Sequence, residues 1–441
     1  MSKLLDQVKH RCHAGFLPSR FFLGGVFAMA FLAALLSAPI APAAEPSTPA
    51  NEDEASTPSS GDPQALAAGA NAFAFDLWEQ TRKTAQGNFA ISPASISTAF
   101  AMAYGGAKGE TAAQIKQVFH FPSESGVLMN SWGQLARSLE DPQRSVTLRI
   151  ANRLFGEKTY SFEQSYLDDT GAAFGAALEP VDFKTAFEPS REHINTWVAE
   201  RTEQRIKNLL PKDSVNPLTR MVLVNAIYFL GEWREPFNQK WTHLQPFYLS
   251  ATRTRDVQMM HQTGYFAAAQ VDAVKLLELP YKGEDMSFLA VLPEQTDGLA
   301  ALEASLSAGQ LESWQHALKQ QRVSVALPRF ELNPAAPLKL ASSLSALGMP
   351  LPFTPEADFT AMANPVNPDE RIHISEAYHK AFVKVDERGT EAAAATAIVM
   401  MATASPSLPF EFKADRPFLF FIIDKASGLV LFMGRVTHPS S

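Results

Sequence analysis

Cysteine is almost absent from this sequence: among 441 residues the single cysteine is Cys12, so no disulfide can form within the chain. Runs of basic charge are also missing: charged residues make up an ordinary 19% of the chain, and no block of five or six basic residues occurs. With a net charge of −8, we expect no generalised attraction for nucleic acid or for an anionic membrane surface.

The motifs of common enzyme classes are missing as well. The sequence contains no Gly-x-Ser-x-Gly elbow, no His-Glu-x-x-His and no phosphate loop that ends in Gly-Lys-Ser/Thr. Residues 105–109 resemble a phosphate cradle but follow a helical pattern, which favours a helix-ending turn. Of the ten histidines, His373 and His379 come closest to a metal pair, yet in a strand they would lie ~20 Å apart. The sequence therefore predicts no enzyme, no metal site and no cofactor.

The N-terminus has the pattern of an export signal. Basic residues precede an apolar run over residues 21–36, and Ala41-Pro42-Ala43 offers the small-x-small site that a signal peptidase cuts. A membrane anchor is the alternative, but the run is shorter than the ~20 residues that cross a bilayer. We therefore expect a signal peptide at residues 1–43, and a mature protein that is secreted (extracellular or periplasmic) and lacks Cys12.

A low-complexity stretch separates this signal from the rest of the chain. Residues 44–61 are rich in Pro, Ser, Thr, Ala and acidic residues and predict a disordered linker, because they cannot bury an apolar face. Order is expected to begin at Asp62-Pro63, an N-cap followed by the proline favoured at the first helical position. Residues 62–441 show no internal repeat and no second linker, so they predict one domain.

Helical patterns occupy the first part of this domain and strand patterns the last part. Apolar residues recur at helical spacing from Leu66, and a second helix follows Ser92-Pro93 and ends near Gly105-Gly106. Alternating or continuous apolar runs predict strands at 146–150, 221–230, 323–327, 383–385, 418–423 and 430–436. This order predicts an α+β fold rather than a regular parallel α/β fold.

The stretch from Glu387 to Pro409 has an unusual composition. After Glu387 its only charged residues are Arg388 and Glu391. Alanine and methionine favour a helix, and a flexible loop is a second interpretation. If the segment is a strand, one of its faces carries Thr390, Ala392, Ala394, Thr396, Ile398 and Met400. The first residues of this face are small and the later ones are larger. Such a face suits a strand that is exposed first and later enters an existing sheet.

Longer motifs, in a fixed order from residue 64 to the C-terminus, resemble those of the serpin family. They are Ser92-Pro93-x-Ser95-Ile96, Gly106-Ala107-Lys108-Gly109-x-Thr111, Ile194-Asn195-x-Trp197-Val198, residues 223–229 with Gly231 and Trp233, Leu279-Pro280-Tyr281, residues 327–330, His379-Lys380-Ala381 and residues 432–435. The segment that starts at Glu387 resembles the hinge of the family's reactive-centre loop. The resemblance implies the serpin fold, with about three β-sheets, eight or nine helices and an exposed reactive-centre loop.

The resemblance also implies a mechanism. In serpins a target protease attacks the loop as a substrate, and the cleaved loop then enters the central sheet with the acylated enzyme attached. Counting seventeen residues from Glu387 places the scissile bond at Thr403-Ala404. The neighbouring loop contacts are Met400, Met401, Ala402 and Ser405. These residues are small or apolar, so we expect elastase-, subtilisin- or chymotrypsin-like targets, or papain-like ones, rather than trypsin-like ones.

Three groups of supporting residues follow from the resemblance. The hinge comprises Glu387, Gly389, Thr390, Glu391, Ala392, Ala393, Ala394 and Ala395. The shutter beneath the opening strands comprises Ser92, Ser95 and Asn225, for which ordinary buried hydrogen bonding is the alternative explanation. The breach at the top of the sheet comprises Trp233, His379 and Arg329, with an ion pair between Arg329 and Glu387; an ordinary core histidine is the alternative for His379.

Together these features predict a monomeric suicide inhibitor whose partners are proteases held in a covalent acyl complex. A heparin-like activator is not expected, because residues 121–143 contain no basic cluster. The alternative is a protein with the serpin fold that traps no protease and serves as a carrier, chaperone or storage protein.

Overall fold

Helices are concentrated in the first half of the chain, as the sequence predicts. The computed structural model describes residues 61–175, 178–367, 370–390 and 408–439, all within one unit that spans Thr57–Ser441. These residues contain nine α-helices: α1 (Pro63–Thr81), α2 (Pro93–Gly106), α3 (Gly109–Val118), α4 (Ser125–Leu139), α5 (Gln164–Phe174), α6 (Phe183–Arg201), α7 (Leu299–Ala304), α8 (Ala308–Ala317) and α9 (Ala341–Ala346). None of the helices in this part of the chain is long and apolar enough to cross a membrane.

The first two helix starts follow directly from the sequence. The Asp62 carboxylate accepts the Gln64 N–H at 3.1 Å, and Pro63 takes the first helical position of α1. Ser92 caps α2 in the same way, because its hydroxyl accepts the Ser95 N–H at 3.3 Å. Helix α2 ends at Gly106 and α3 begins at Gly109, so the glycine-rich stretch is a helix-ending turn, as predicted.

Sixteen strands form the remainder of the described architecture. They are β1 (Phe89–Ile91), β2 (Val146–Glu157), β3 (Glu179–Val181), β4 (Met221–Glu232), β5 (His243–Ser250), β6 (Arg253–Val271), β7 (Val274–Pro280), β8 (Met286–Pro293), β9 (Lys319–Pro328), β10 (Phe330–Leu332), β11 (Leu338–Lys339), β12 (Glu376–Val385), β13 (Gly389–Thr390), β14 (Phe410–Lys413), β15 (Phe418–Asp424) and β16 (Val430–Val436). The predicted α+β order, with strands prevailing later in the chain, is confirmed.

The larger sheet has nine strands in the order β1-β16-β15-β8-β7-β6-β9-β14, with β5 paired to β6. Strand β6 is 19 residues long; it pairs with β5 near its start and with β7 near its end. One continuous strand therefore joins two parts of this sheet. For this reason the described residues form two hydrogen-bonded sheets, where the family resemblance implies about three.

The smaller sheet, called the central sheet below, has the order β10-β12-β13-β4-β2-β3, with β11 paired to β12. Strands β4 and β12 run parallel and pair directly from Val222↔Glu376 to Tyr228↔Phe382. We call this junction the seam. Beyond Phe382 the short strand β13 lies between β12 and β4 and pairs with both. The seam is thus closed along its lower part and occupied by β13 at its upper end.

Apolar packing covers both faces of the central sheet. On one face Leu223, Ile227 and Phe229 join the main core, to which α2 also contributes. On the other face Val222 and Val224 join a smaller cluster that includes residues of α6, such as Ile194. Strand β4 is therefore buried on both sides, as its continuous apolar run predicts.

Candidate functional site

A buried polar network closes the lower part of the seam. His379 on β12 and Asn225 on β4 lie directly opposite each other, and His379 Nδ1 is hydrogen-bonded to Asn225 Oδ1. The Ser92 N–H donates to His379 Nε2 at 3.0 Å, so Nε2 is an acceptor and Nδ1 carries the proton. Burial lowers the pKa of His379 to about 3. The imidazole is therefore neutral at physiological pH, with both nitrogens satisfied.

Asn225 connects this histidine to α2 and to β2. Its Nδ2 donates to Ser95 Oγ at 2.7 Å and to Asn152 Oδ1 at 2.5 Å. Asn152 Nδ2 in turn donates to the Ser95 carbonyl oxygen at 2.9 Å. The structure thus brings the three predicted shutter residues into one network, which we call the lower network. Asn152 was not predicted, although β2 places it directly opposite Asn225.

The position predicted for His379 is wrong. The family motifs group it with Trp233 at the breach, whereas the structure places it in the lower network with Ser92 and Asn225. Trp233 directly follows β4 and lies eight residues beyond Asn225, a distance of ~26 Å at the rise of an extended strand. The parallel register of β4 and β12 sets this position, and no local pattern in the sequence reveals that register.

Trp233 does lie at the upper end of the seam, where it holds the turn between β12 and β13. Its Nε1–H donates to the Asp386 carbonyl at 3.0 Å, and its backbone N–H donates to the Arg388 carbonyl at 2.7 Å. The indole stacks on Tyr281, with ring centroids 4.8 Å apart and planes 13° apart. These contacts fix the chain where the segment that resembles the serpin hinge begins.

Arg329 and Glu387 form an ion pair at the same end of the seam. Arg329 Nε donates to Glu387 Oε1 at 2.7 Å, and Nη2 and the Thr242 hydroxyl donate to the same oxygen. Burial alone would raise the pKa of Glu387, but the hydrogen bonds from Arg329 and Thr242 outweigh it and lower the pKa. The carboxylate side chain is 3% exposed and the arginine side chain 40% exposed. Thr242 was not predicted from the sequence.

The first residues of the predicted hinge are part of the central sheet. Gly389 pairs with Glu232, and Thr390 pairs with Val385 on one side and Gly231 on the other. Thr390 is fully buried. A Cβ atom on Gly389 would lie 1.9 Å from the Gly231 carbonyl oxygen, at a φ of +159°, so only glycine fits there.

The rest of the predicted loop lies outside the described residues. This applies to the remaining hinge residues, to the predicted scissile bond and to its neighbours: Glu391, Ala392, Ala393, Ala394, Ala395, Met400, Met401, Ala402, Thr403, Ala404 and Ser405. Their assignments stay predictions.

Lys380 is a second buried polar residue beside His379 and was not singled out as a site residue from the sequence. It points to the opposite face of β12, on the side of the α6 cluster, and is 6% exposed. Burial lowers the pKa of its amine. In the part of the chain that the structure describes, no carboxylate forms an ion pair with it.

Comparison with known proteins identifies the family. A family model described as "Serpin (serine protease inhibitor)" matches residues 68–439. Human Serpin B3 is 39% identical over 386 residues, which cover 83% of this chain and 97% of that protein. Human leukocyte elastase inhibitor is 40% identical over 378 residues, with the same coverage of 83% and 97%.

A solved structure supports the same assignment. Human thyroxine-binding globulin in complex with thyroxine matches with a TM-score of 0.78 and 27% identity, over 86% of this chain and all of that chain. The motifs, the fold and these relatives agree over nearly the whole described chain. This protein belongs to the serpin family.

Proposed function

We propose that this protein is a suicide inhibitor of serine endopeptidases, with papain-like cysteine endopeptidases as a second class of target. One observation carries the proposal: Gly389 and Thr390 already form a strand between β12 and β4. A loop that continues from Thr390 can extend this strand down the seam only if β12 and β4 separate. Cleavage of the loop would release its C-terminal constraint and allow that extension.

The covalent step follows serine protease chemistry. The protease serine Oγ attacks the carbonyl carbon of Thr403, the bond to the Ala404 nitrogen breaks, and the amine leaves with a proton. The cleaved loop remains attached to the enzyme through an ester. About a dozen inserted residues, each adding ~0.5–1.5 kcal/mol of net hydrogen bonding, would stabilise the inserted state by ~10 kcal/mol. This is enough to make insertion effectively irreversible.

Insertion would also move the attached protease. About 15 residues at ~3.3 Å each span ~50 Å, which is close to the diameter of ~54 Å expected for a domain of this size. The acylated enzyme would travel from one pole to the other. Distortion of its triad and oxyanion hole there would stop hydrolysis of the ester.

The residues around the predicted scissile bond suggest the target class. Residues 400–405 contain no arginine or lysine, which favours elastase-, subtilisin- and chymotrypsin-like enzymes. The similarity to leukocyte elastase inhibitor agrees with an elastase-like target. Cleavage products identified by mass spectrometry would define the bond, and trypsin as the best target would overturn this specificity.

We further propose that residues 1–43 are removed on export, that 44–61 act as a linker and that 62–441 work as a monomer without a heparin-like activator. The basic and apolar pattern of the N-terminus supports export. N-terminal sequencing of the secreted protein should start after Ala43. A mature chain that retains Cys12 would contradict this part of the proposal.

The decisive experiment is incubation with a panel of elastase, subtilisin, chymotrypsin and trypsin, followed by denaturing electrophoresis. An SDS-stable complex is expected with one or more of the first three. Thr390→Arg places a bulky charge where the side chain is fully buried, so this variant should be cleaved as a substrate without forming the complex. Thr252→Arg, in an exposed turn, is the matched control and should inhibit normally.

The carrier alternative predicts a different result. Thyroxine-binding globulin shows that a protein of this fold can hold a small molecule. If every protease cleaves the loop without forming a complex, and the nicked protein is no more resistant to heat, the inhibitor proposal fails and the carrier interpretation is favoured.

A further inference from the structure

Tyr281 is a buried residue at the upper end of the seam. In the sequence it stands out only as part of the family motif Leu279-Pro280-Tyr281. It directly follows β7, is fully buried, and packs against Trp233 and Phe229. Burial raises the pKa of its phenol, which therefore stays protonated. A buried phenol needs a hydrogen-bond partner. Its partner is Thr390, whose Oγ1 lies 2.7 Å from Tyr281 Oη.

This hydrogen bond joins the residue that follows β7 of the larger sheet to the second residue of β13. Thr390 is paired on one side with Val385 and on the other with Gly231. Its side chain points towards Tyr281, whose ring also contacts the position of Gly231, since a Cβ there would lie 2.8 Å from the tyrosine Cδ1. The hydroxyl pair therefore specifies which face of β13 points into the main core.

The face that Thr390 takes in β13 also decides which faces the following residues take. Thr390 has the same parity as Ala392, Ala394 and Thr396, so a strand continued in register turns these small residues towards the core. A slip by one residue would exchange the two faces. Glu391 would then take the fully buried place of Thr390, where an unpaired carboxylate is strongly disfavoured.

We infer that Tyr281 is a positioning residue for inhibition, whose hydroxyl fixes the register in which the loop strand starts to insert. The inference rests on the proposed inhibitory function. Without the hydroxyl pair, insertion would start in the wrong register more often and therefore more slowly. Because the acyl-enzyme is hydrolysed when insertion is slow, more inhibitor would be consumed as substrate for each protease molecule trapped.

The test compares Tyr281→Phe with Tyr166→Phe, both of which remove one hydroxyl from a buried tyrosine. Tyr166 on α5 donates to the Met102 carbonyl of α2 at 3.0 Å, outside the strands of the seam, so it is the matched control. We measure the stoichiometry of inhibition and the rate of first loop cleavage with a protease that the wild type traps. Tyr281→Phe should raise the stoichiometry at least twofold and leave the cleavage rate unchanged, whereas Tyr166→Phe should change neither.

Two further variants separate positioning from a general loss of stability. Thr390→Val should raise the stoichiometry as much as Tyr281→Phe, and the double variant should be no worse than either, because both remove the same bond. Thr390→Ser keeps the hydroxyl and should inhibit like the wild type. A wild-type stoichiometry in Tyr281→Phe, an equal rise in Tyr166→Phe, or additive effects in the double variant would each overturn the inference.

Failure of the proposed function would look different. In that case the wild type forms no complex with any protease, and the comparison moves to the heat resistance gained when the loop is nicked. A gain that is reduced by Tyr281→Phe but not by Tyr166→Phe supports register control without protease trapping. An equal gain in both variants, or no gain in the wild type, overturns the inference.

Discussion

The two ends of the seam between β4 and β12 are held by different kinds of interaction. The lower part is closed by direct strand pairing over a neutral network in which Ser92, Asn225 and His379 are almost fully buried. The upper end holds β13 and is fixed by an ion pair whose arginine is 40% exposed. Loss of a partner in the lower network leaves buried polar groups unpaired, whereas water can replace part of the upper contact. The lower part should therefore be the more sensitive to substitution.

The largest effect is expected from Asn225→Ala in the lower network. The change removes the acceptor of His379 Nδ1–H and the donor to Ser95 Oγ and Asn152 Oδ1, so several buried groups lose a partner at once. We expect a loss of about 3 kcal/mol in the free energy of unfolding, measured by denaturant titration. The control Asn130→Ala removes an exposed amide and should change the free energy by less than about 0.5 kcal/mol. Equal losses would contradict the comparison.

Glu387→Lys should give the next largest effect, at the upper end. The substitution replaces an ion pair with two like charges, but the half-exposed Arg329 can turn towards water. We expect a loss of about 2 kcal/mol and faster polymer formation on heating, measured by size-exclusion chromatography. Glu312→Lys, on an exposed position of α8, should polymerise like the wild type. Unchanged thermal polymerisation of Glu387→Lys would show that this pair does not hold the hinge.

A pH titration should distinguish the two ends of the seam by the pH range in which each loses its contribution to stability. The pKa of His379 falls to about 3 in the folded protein, below ~6.5 in the unfolded chain. Its contribution is therefore complete above pH ~6.5 and is lost progressively as the pH falls towards 3. Between pH 7.5 and 5.5 the wild type should lose about 1 kcal/mol more than His379→Gln, measured by denaturant titration. Glu387, whose pKa is also lowered, contributes fully above the ordinary carboxyl range and loses its contribution only as the pH falls below that range. It should therefore not change the stability between pH 7.5 and 5.5, and identical pH profiles of the wild type and His379→Gln in this interval would contradict the assignment of His379.

The smallest effect, and the only gain, is expected from Lys380→Met on the other face of the lower seam. The amine is almost buried and burial lowers its pKa, so an uncharged side chain of similar length removes a desolvation cost. We expect the free energy of unfolding to rise by about 1 kcal/mol at pH 7. The advantage should shrink as the pH rises towards 10, because the wild-type amine then loses its charge in the unfolded chain too. A destabilised variant would mean that the amine has a favourable partner.

Local patterns predicted a large part of this fold. The caps at Asp62 and Ser92 depend on neighbouring residues, and the continuous apolar run of β4 records burial on both faces. Strands β5 to β8 were not predicted. Strands β5 and β6 expose both apolar and polar residues, so they show no regular alternation. The short apolar run of β8 does not distinguish a strand from a buried helix.

The candidate site likewise has features that local sequence predicts and features that depend on long-range packing. By itself the sequence determined the helix caps and the buried strand β4 that forms one side of the seam. It also determined which residues after Thr390 share one face of a strand, and the family motifs predicted the ion pair between Arg329 and Glu387. Only the tertiary structure decided that His379 lies in the lower network and that Asn152 belongs to the same network. It also decided that Thr242 donates to Glu387 and that Tyr281 is hydrogen-bonded to Thr390. The physical reason is range: capping and parity act over a few residues, whereas strand register and the partners of a buried polar group are set by packing between segments far apart in the chain.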